Sequence, residues 1–287
     1  MLRNLIDDAS SLKVKYKDNN YIFVPSILLL VVGFVVHYFW GFEAAIIVEL
    51  PLITLFILTM IFHVYRKMEA DLEEERIQSQ AIQSIYRYIE PRYPLPSMSR
   101  WTAFPDLAEH IIRGCMQNKP TCVVELGSGI STLITAYALE KYGPSDAKII
   151  SLDHSEKYSK ITRELLKEHE LEHRAEVIYA PLQTTLVNET SYSWYSLDDL
   201  ELAHKIDMLL VDGPPVKTNK MARYPAIPLL YKYFSKHCVI LLDDAARKSE
   251  QDSVQHWLDE YPDLVHTYIG TKKGLSIIKP GLKTSKI

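Results

Sequence analysis

Five carboxylates close apolar runs in this chain. Glu125 sits in Val123-Val124-Glu125-Leu126, Asp153 ends the run 148–153, Asp212 ends 206–212, and Asp243-Asp244 follows 238–242. Such runs read as buried parallel strands, and open α/β sheets bind their ligands where those strands end. The first acid leads into Gly127-Ser128-Gly129-Ile130-Ser131-Thr132. Glycines there let the backbone turn sharply and come close to a ligand, and the helix that follows presents free N–H groups at its start. That spacing suits a nucleotide-type cleft, with the Asp153 carboxylate placed to take both ribose hydroxyls. The dinucleotide fingerprint is broken, because Thr132 stands at its third glycine, and no Gly-Lys-Ser/Thr phosphate loop is present. A tight strand-to-helix turn without a ligand is the alternative.

The elements that carry these acids alternate. Strands are expected at 123–126, 148–153, 175–180, 206–212 and 238–242, with helical periodicity over 132–142, 155–169, 224–236 and 249–261. Two last strands, 264–269 and 275–279, flank the hairpin-length turn Gly270-Thr271-Lys272-Lys273-Gly274. The expected fold class is α/β and Rossmann-like: a mostly parallel seven-stranded sheet with a terminal antiparallel hairpin.

The spelling Glu125-Leu126-Gly127-Ser128-Gly129 resembles motif I of the class I S-adenosylmethionine (SAM) methyltransferases, and the element order is theirs. Asp212-Gly213-Pro214-Pro215, Ala222-Arg223-Tyr224-Pro225-Ala226 and Leu241-Leu242-Asp243-Asp244-Ala245 narrow the likeness. They resemble a bacterial group similar to glucuronoxylan and, more distantly, catechol-type O-methyltransferases. Tyr93-Pro94-Leu95-Pro96 and Phe104-Pro105-Asp106 look like that group's lead-in, so the resemblance covers about residues 95–279. It implies SAM contacts at Glu125, Gly127, Ser128, Gly129, Thr132, Asp153, His154, Pro181 and Asp212. Catechol-type enzymes hold Mg²⁺ with an acid after the fourth strand and an Asp-Asn pair after the fifth. Asp212, Asp243 and Asp244 match those positions, with an acid in place of the amide, and three carboxylates are a sound oxygen set for such an ion. Alternatively Asp212 touches SAM or acts as a base, and Asp243-Asp244 caps the next segment.

Catalytic roles are expected at Asp212, Lys217, Arg223 and Asp244. An alcohol acceptor has a high pKa, so a base or a metal must assist. Lys217 lies slightly beyond the catechol-type lysine position, after an intervening Gly213-Pro214-Pro215 that departs from that pattern, and otherwise reads as an ordinary surface lysine. Arg223 could clamp an acidic sugar or phosphate through its planar fork, or pair with a local acid. Tyr192, Trp194 and Tyr195 could form a lid over an acceptor ring, or simply pack. The histidines are scattered without zinc-ligand spacing.

With 32 basic and 36 acidic residues and no basic tract, the chain lacks the positive footprint of nucleic-acid binding. Cys115, Cys122 and Cys238 have neither metal nor redox spacing and read as buried free thiols in a reducing compartment. The N-terminus is different. Residues 21–40 carry no formal charge, about the length of helix that crosses a ~30 Å hydrocarbon layer, and a second apolar run covers 44–65. Tyr21, Tyr38, Phe39, Trp40 and Tyr65 stand at the run ends, where aromatic rings favour the membrane interface. A second run so close argues against a cleaved signal peptide. Arg3, Lys13, Lys15 and Lys17 precede the first run and Arg66 and Lys67 follow the second, while the turn between has no positive charge. Both ends therefore face the cytoplasm. Glu49 is expected near the outer interface, where it stays solvated, and Pro51 in the first turns of its helix.

The expected organisation is a cytoplasmic tail over 1–20, a transmembrane helical hairpin over 21–65, a helical stalk and proline joint over 66–96, and the methyltransferase domain over 97–287. The expected protein is an inner-membrane, multi-pass enzyme facing the cytoplasm that O-methylates a cell-envelope saccharide or lipid-linked intermediate. N-methyl or aminopropyl transfer, or a non-catalytic SAM-binding membrane scaffold, are the alternatives.

Overall fold

The computed structural model describes residues 20–98 and 103–281. The expected tail, with Arg3, Lys13, Lys15 and Lys17, lies outside the described residues except for Asn20. The chain divides into two compact units, Met1–Arg76 and Ile77–Ile287. Helix α1 (Asn20–Trp40) turns at Gly41 into helix α2 (Phe42–Ile89), which belongs to the first unit as far as Arg76 and to the second from Ile77 on. Among the described residues, α2 is long and apolar enough to cross a membrane, whereas the apolar stretch of α1, Pro25–Trp40, is shorter. Leu30, Phe34, Phe39, Ile47 and Phe62 are all exposed. Where α1 and α2 pack, Glu49 lies against Gly33, and a Cβ on that glycine would stand 1.5 Å from Glu49 Oε1.

The second unit is a seven-stranded sheet in the order β3-β2-β1-β6-β7-β9-β8. Strands β1 (Cys122–Leu126), β2 (Lys148–Asp153), β3 (Ala175–Tyr179), β6 (Ile206–Val211) and β7 (Phe234–Leu242) are parallel. Strands β8 (Leu264–Ile269) and β9 (Leu275–Pro280) close one edge antiparallel, as the sequence expects. The sheet order reverses between β1 and β6, so the carboxyl ends of those strands flank the crevice where such folds place a ligand. Helices α3 (Pro105–Asn118), α4 (Ile130–Tyr142) and α5 (Glu156–Glu168) cover one face. Ile85 and Ile89 from the end of α2 join that core, although the sequence assigns them to the stalk. The other face packs on α6 (Ala226–Leu230) and on Trp257 of α7 (Lys248–Glu260).

Two elements differ from expectation. The helix expected over 224–236 shrinks to α6 and a 3₁₀ turn, Tyr231–Tyr233, and β7 begins at Phe234. Aromatic residues there suit a pleated, half-buried surface, and Pro228 fits only an opening helical turn. Between β3 and β6 the chain forms a two-stranded hairpin, β4 (Leu182–Val187) and β5 (Thr190–Tyr195), outside the expected set. Its turn residues Asn188 and Glu189 both have positive φ, at 46° and 64°, as a two-residue hairpin turn of matching twist requires.

Candidate active site

Glu125, near the end of β1, controls the turn that follows. Gly127 has φ +101°, and a Cβ there would stand 3.3 Å from the Gly213 backbone nitrogen. That close approach joins the ends of β1 and β6. Thr132 Oγ1 donates to Glu125 Oε2 (2.5 Å) and accepts from Gly129 N (3.0 Å), so the acid holds the first turn of α4 in place. Glu125 is 1% exposed, and its Oε1 is buried without a hydrogen-bond partner. Burial pushes its carboxyl up to about 7, against the lowering effect of the Ser131 and Thr132 hydroxyls.

Asp153, at the end of β2, is also buried. Its Oδ2 accepts from Ser128 N (3.0 Å) and Ser128 Oγ (2.7 Å), and its Oδ1 from Ser155 N (2.8 Å). A carboxylate offers about four acceptor sites, so these three bonds leave one for a ribose. Ser128 Oγ also lies 3.1 Å from Thr162 Oγ1, a partner to which it can turn. His154 is half-buried with Nδ1 3.7 Å from Asp153 Oδ1, beside the expected ribose position. Pro181 is exposed, and its carbonyl accepts from Ser196 N (3.0 Å) at the base of the β4–β5 hairpin.

The remaining three acids meet. Ligand oxygens of Asp212, Asp243 and Asp244 all lie within 4.8 Å of one another. Arg223, 3% exposed, sits among them. Its Nη2 donates to Asp244 Oδ2 (2.7 Å), Asp212 Oδ1 (3.0 Å) and the Asp212 carbonyl (2.6 Å), and its Nη1 to the Asp243 carbonyl (2.8 Å). One guanidinium thus ties the ends of β6 and β7. Arg247 Nη1 approaches Asp244 Oδ2 at 2.8 Å, and the buried Glu250 lies 3.9 Å from Arg223 Nε. Lys273 Nζ reaches to 3.6 Å from Asp243 Oδ2. It arrives there because Gly274, at φ +78°, packs the β8–β9 turn onto Ala245 and Ala246, where a Cβ would stand 2.5 Å from Ala246 N.

Burial raises the Asp243 carboxyl to about 7, with Asp212 and Asp244 adding to it and Lys273 opposing. Burial also raises Asp212, more than Arg223 lowers it. For Arg223, burial works against the charge, but the surrounding carboxylates outweigh it. A small cavity opens beside the cluster, between Leu107 and Ile111 of α3 and the acids Glu125, Asp212 and Asp243.

The residues present fit SAM. Space beside Gly129 is open, Asp153 retains an acceptor site, and Asp212 ends the neighbouring strand across the turn. They do not fit Mg²⁺, although the oxygen chemistry is right. An ion on the oxygens that Arg223 bridges, Asp212 Oδ1 and Asp244 Oδ2, would face a guanidinium already bonded to both, and like unit charges 4 Å apart repel by about 4 kcal/mol at an effective dielectric near 20.

Three other expected residues or groups lie as follows. Arg223 does not stand out as a clamp for an acidic acceptor, because its own domain's acids and carbonyls occupy it. Lys217 is exposed in the turn after Pro215, and among the described residues no ion pair joins it to the acids. Tyr192, Trp194 and Tyr195 are core residues of β5 and form no lid. Sequence reasoning missed Arg247, Glu250 and Lys273. The available signal was the Asp243-Asp244 pair itself, which demands counter-charges, with two lysines on the turn of the adjoining hairpin.

Residues 124–245 match the methyltransferase domain family. The chain is a SAM-dependent methyltransferase. The matched stretch contains Glu125, Asp153, Asp212, Asp243 and Asp244. No curated protein matches the chain. Among solved structures, the methyltransferase is similar to an O-methyltransferase from Bacillus cereus in complex with SAH: 18% identity, 71% of this chain and 90% of that one, TM-score 0.48. It is similar to SAH-bound PaMTH1 from Podospora anserina at 18% identity, 70% and 87% coverage, and TM-score 0.48. TomG from Streptomyces achromogenes, an O-methyltransferase of tomaymycin synthesis in complex with SAM, gives 17% identity, 71% and 89% coverage, and TM-score 0.47.

Proposed function

We propose that this methyltransferase is membrane-anchored and O-methylates a cell-envelope saccharide or lipid-linked intermediate from the cytoplasmic side. The observation that carries the chemical part is the set of acids at the carboxyl ends of β1, β2, β6 and β7 around the Gly127–Gly129 turn. The anchor is supported by large apolar side chains that stay exposed along both helices of the first unit. A lipid-linked acceptor follows from that placement.

SAM supplies a methyl group made electrophilic by its sulfonium; the acceptor oxygen bonds to it as the carbon–sulfur bond breaks, leaving a neutral thioether. The protein's own part is positioning and proton removal. Asp153 and the glycine turn orient the donor, and holding two reactants in line supplies a large share of the rate. Asp212 takes the acceptor's proton, since its carboxyl is raised by burial and its side chain stays 27% exposed while Arg223 holds one oxygen. Incubation of the full chain in detergent with isotopically labelled SAM and envelope saccharide fractions tests this. Labelled methyl ethers in the product support O-transfer, labelled amines support N-transfer on the same fold, and SAM binding without turnover on any fraction supports the scaffold.

A further inference from the structure

We propose that Arg223 is a built-in cation that closes the Asp212–Asp243–Asp244 cluster to divalent metal, so that this methyltransferase works without one. Three observations converge. The oxygens of the cluster lie as close together as a metal site demands. The position between two of them is filled by Arg223 Nη2, at 3.0 Å from Asp212 Oδ1 and 2.7 Å from Asp244 Oδ2. The third acid, Asp243, has Lys273 at 3.6 Å, and Arg247 adds a second guanidinium to Asp244. Four carboxylates, counting Glu250, thus face three cations of the same domain.

The guanidinium does more than neutralise. Its bonds to the carbonyls of Asp212 and Asp243 fix the backbone where β6 and β7 end, and this sets the direction of both acids. Asp244 adopts φ 58°, a left-handed conformation uncommon outside glycine, asparagine and aspartate. Arg223 and Arg247 both grip the carboxylate of that residue. Arg223 is therefore a positioning residue that contacts no acceptor: it holds Asp212 toward the cleft. The catalytic consequence rests on the methyl-transfer reading; the metal-binding statement does not.

The test is Mn²⁺ binding to the full chain in detergent, followed by electron paramagnetic resonance, with SAM binding measured by calorimetry on the same samples. Wild type is expected to leave the free Mn²⁺ signal undiminished into the millimolar range, and to keep its turnover after exhaustive chelation. Arg223→Met empties the space among three carboxylates and is expected to gain Mn²⁺ affinity at least tenfold, a change that a purely structural side chain gives no reason to produce. If Arg223→Met does not fold, Arg223→Gln removes the same cation while its amide can still donate to the neighbouring carbonyls, and a gain of Mn²⁺ binding is expected there too. Wild-type Mn²⁺ binding that disappears in Asp243→Asn overturns the proposal. So does a folded Arg223→Met, or in its stead Arg223→Gln, that gains no binding. Loss of SAM binding in wild type instead counts against the methyl-transfer reading and leaves the metal result intact.

Discussion

Asp212 carries the proton in this scheme, and its surroundings give the scheme a pH signature. Burial raises its carboxyl above the ordinary aspartate value of 3.8. A base works only when deprotonated, so turnover is expected to fall as pH drops through that raised value and to level off above it. Asp212→Asn removes the base and is expected to cost about 100-fold or more in turnover. A variant whose pH–rate profile and rate match wild type would sink the assignment. Asp153 is different, because it serves the donor. Asp153→Ala deletes hydrogen bonds to a charged group worth about 1.5–3 kcal/mol, so SAM affinity is expected to fall by roughly 10- to 100-fold in calorimetry. Ser128→Ala frees an acceptor site on the same carboxylate and is expected to leave SAM affinity equal or higher. Weaker binding in Ser128→Ala would mean that the serine hydroxyl itself contacts the donor. The acids were legible in sequence because each ends an apolar run; their counter-ions were not. Arg223 stands 11 residues from Asp212 and 21 from Asp244 in the chain. Only the fold of α6 and the adjoining loop shows that one side chain reaches both.

Elements with a strong period were the ones that sequence placed well. Strands β1, β2 and β6 are continuous apolar runs, and α5 and α7 repeat their apolar residues at helical spacing. The β4–β5 hairpin escaped because its residues are mostly polar or aromatic and its turn is Asn188-Glu189, without the glycine that usually marks such a turn. That hairpin matters to the site. It delivers Tyr195, whose hydroxyl is buried without a hydrogen-bond partner and lies where a Cβ on Gly213 would stand, 2.0 Å away. Gly213→Ala is therefore expected to destabilise the domain by about 1–3 kcal/mol through overpacking. Tyr195→Phe alone removes an unsatisfied buried hydroxyl and is expected to be neutral or stabilising. The double variant should recover most of the loss, because the atom nearest the new methyl is gone. Thermal melts of the four proteins check the cycle; strictly additive effects would show that the hydroxyl is not what excludes a side chain at Gly213.

The two units sort their apolar side chains differently. In the second, apolar side chains are sorted to the two faces of one sheet, as water demands. In the first, Leu28, Leu50, Leu55, Ile61 and others face outward along α1 and α2, an arrangement suited to lipid. Glu49 is the charged exception. It lies seven residues after Phe42, about 10 Å along the helix, against the bare Cα of Gly33. In the proposed topology that is close enough to the turn for its carboxylate to reach the outer interface, and the turn, with exposed Tyr38, Phe39, Trp40 and Phe42, would lie on the side opposite the basic flanks. In the proposed topology Arg66 and Lys67, which follow the second apolar run, lie on the cytoplasmic side. Reporters fused at Asn20, Phe42 and Gln80 are expected to report inside, outside and inside. Moving two lysines into the turn at Gly41 and Phe42 should reduce insertion of the hairpin, because positive charge resists translocation. An external reporter signal at Gln80 refutes the cytoplasmic placement of the methyltransferase domain. Release of the full chain from membranes by high salt would show instead that α1 and α2 bind no hydrocarbon, since burial of this much apolar surface does not depend on ionic strength.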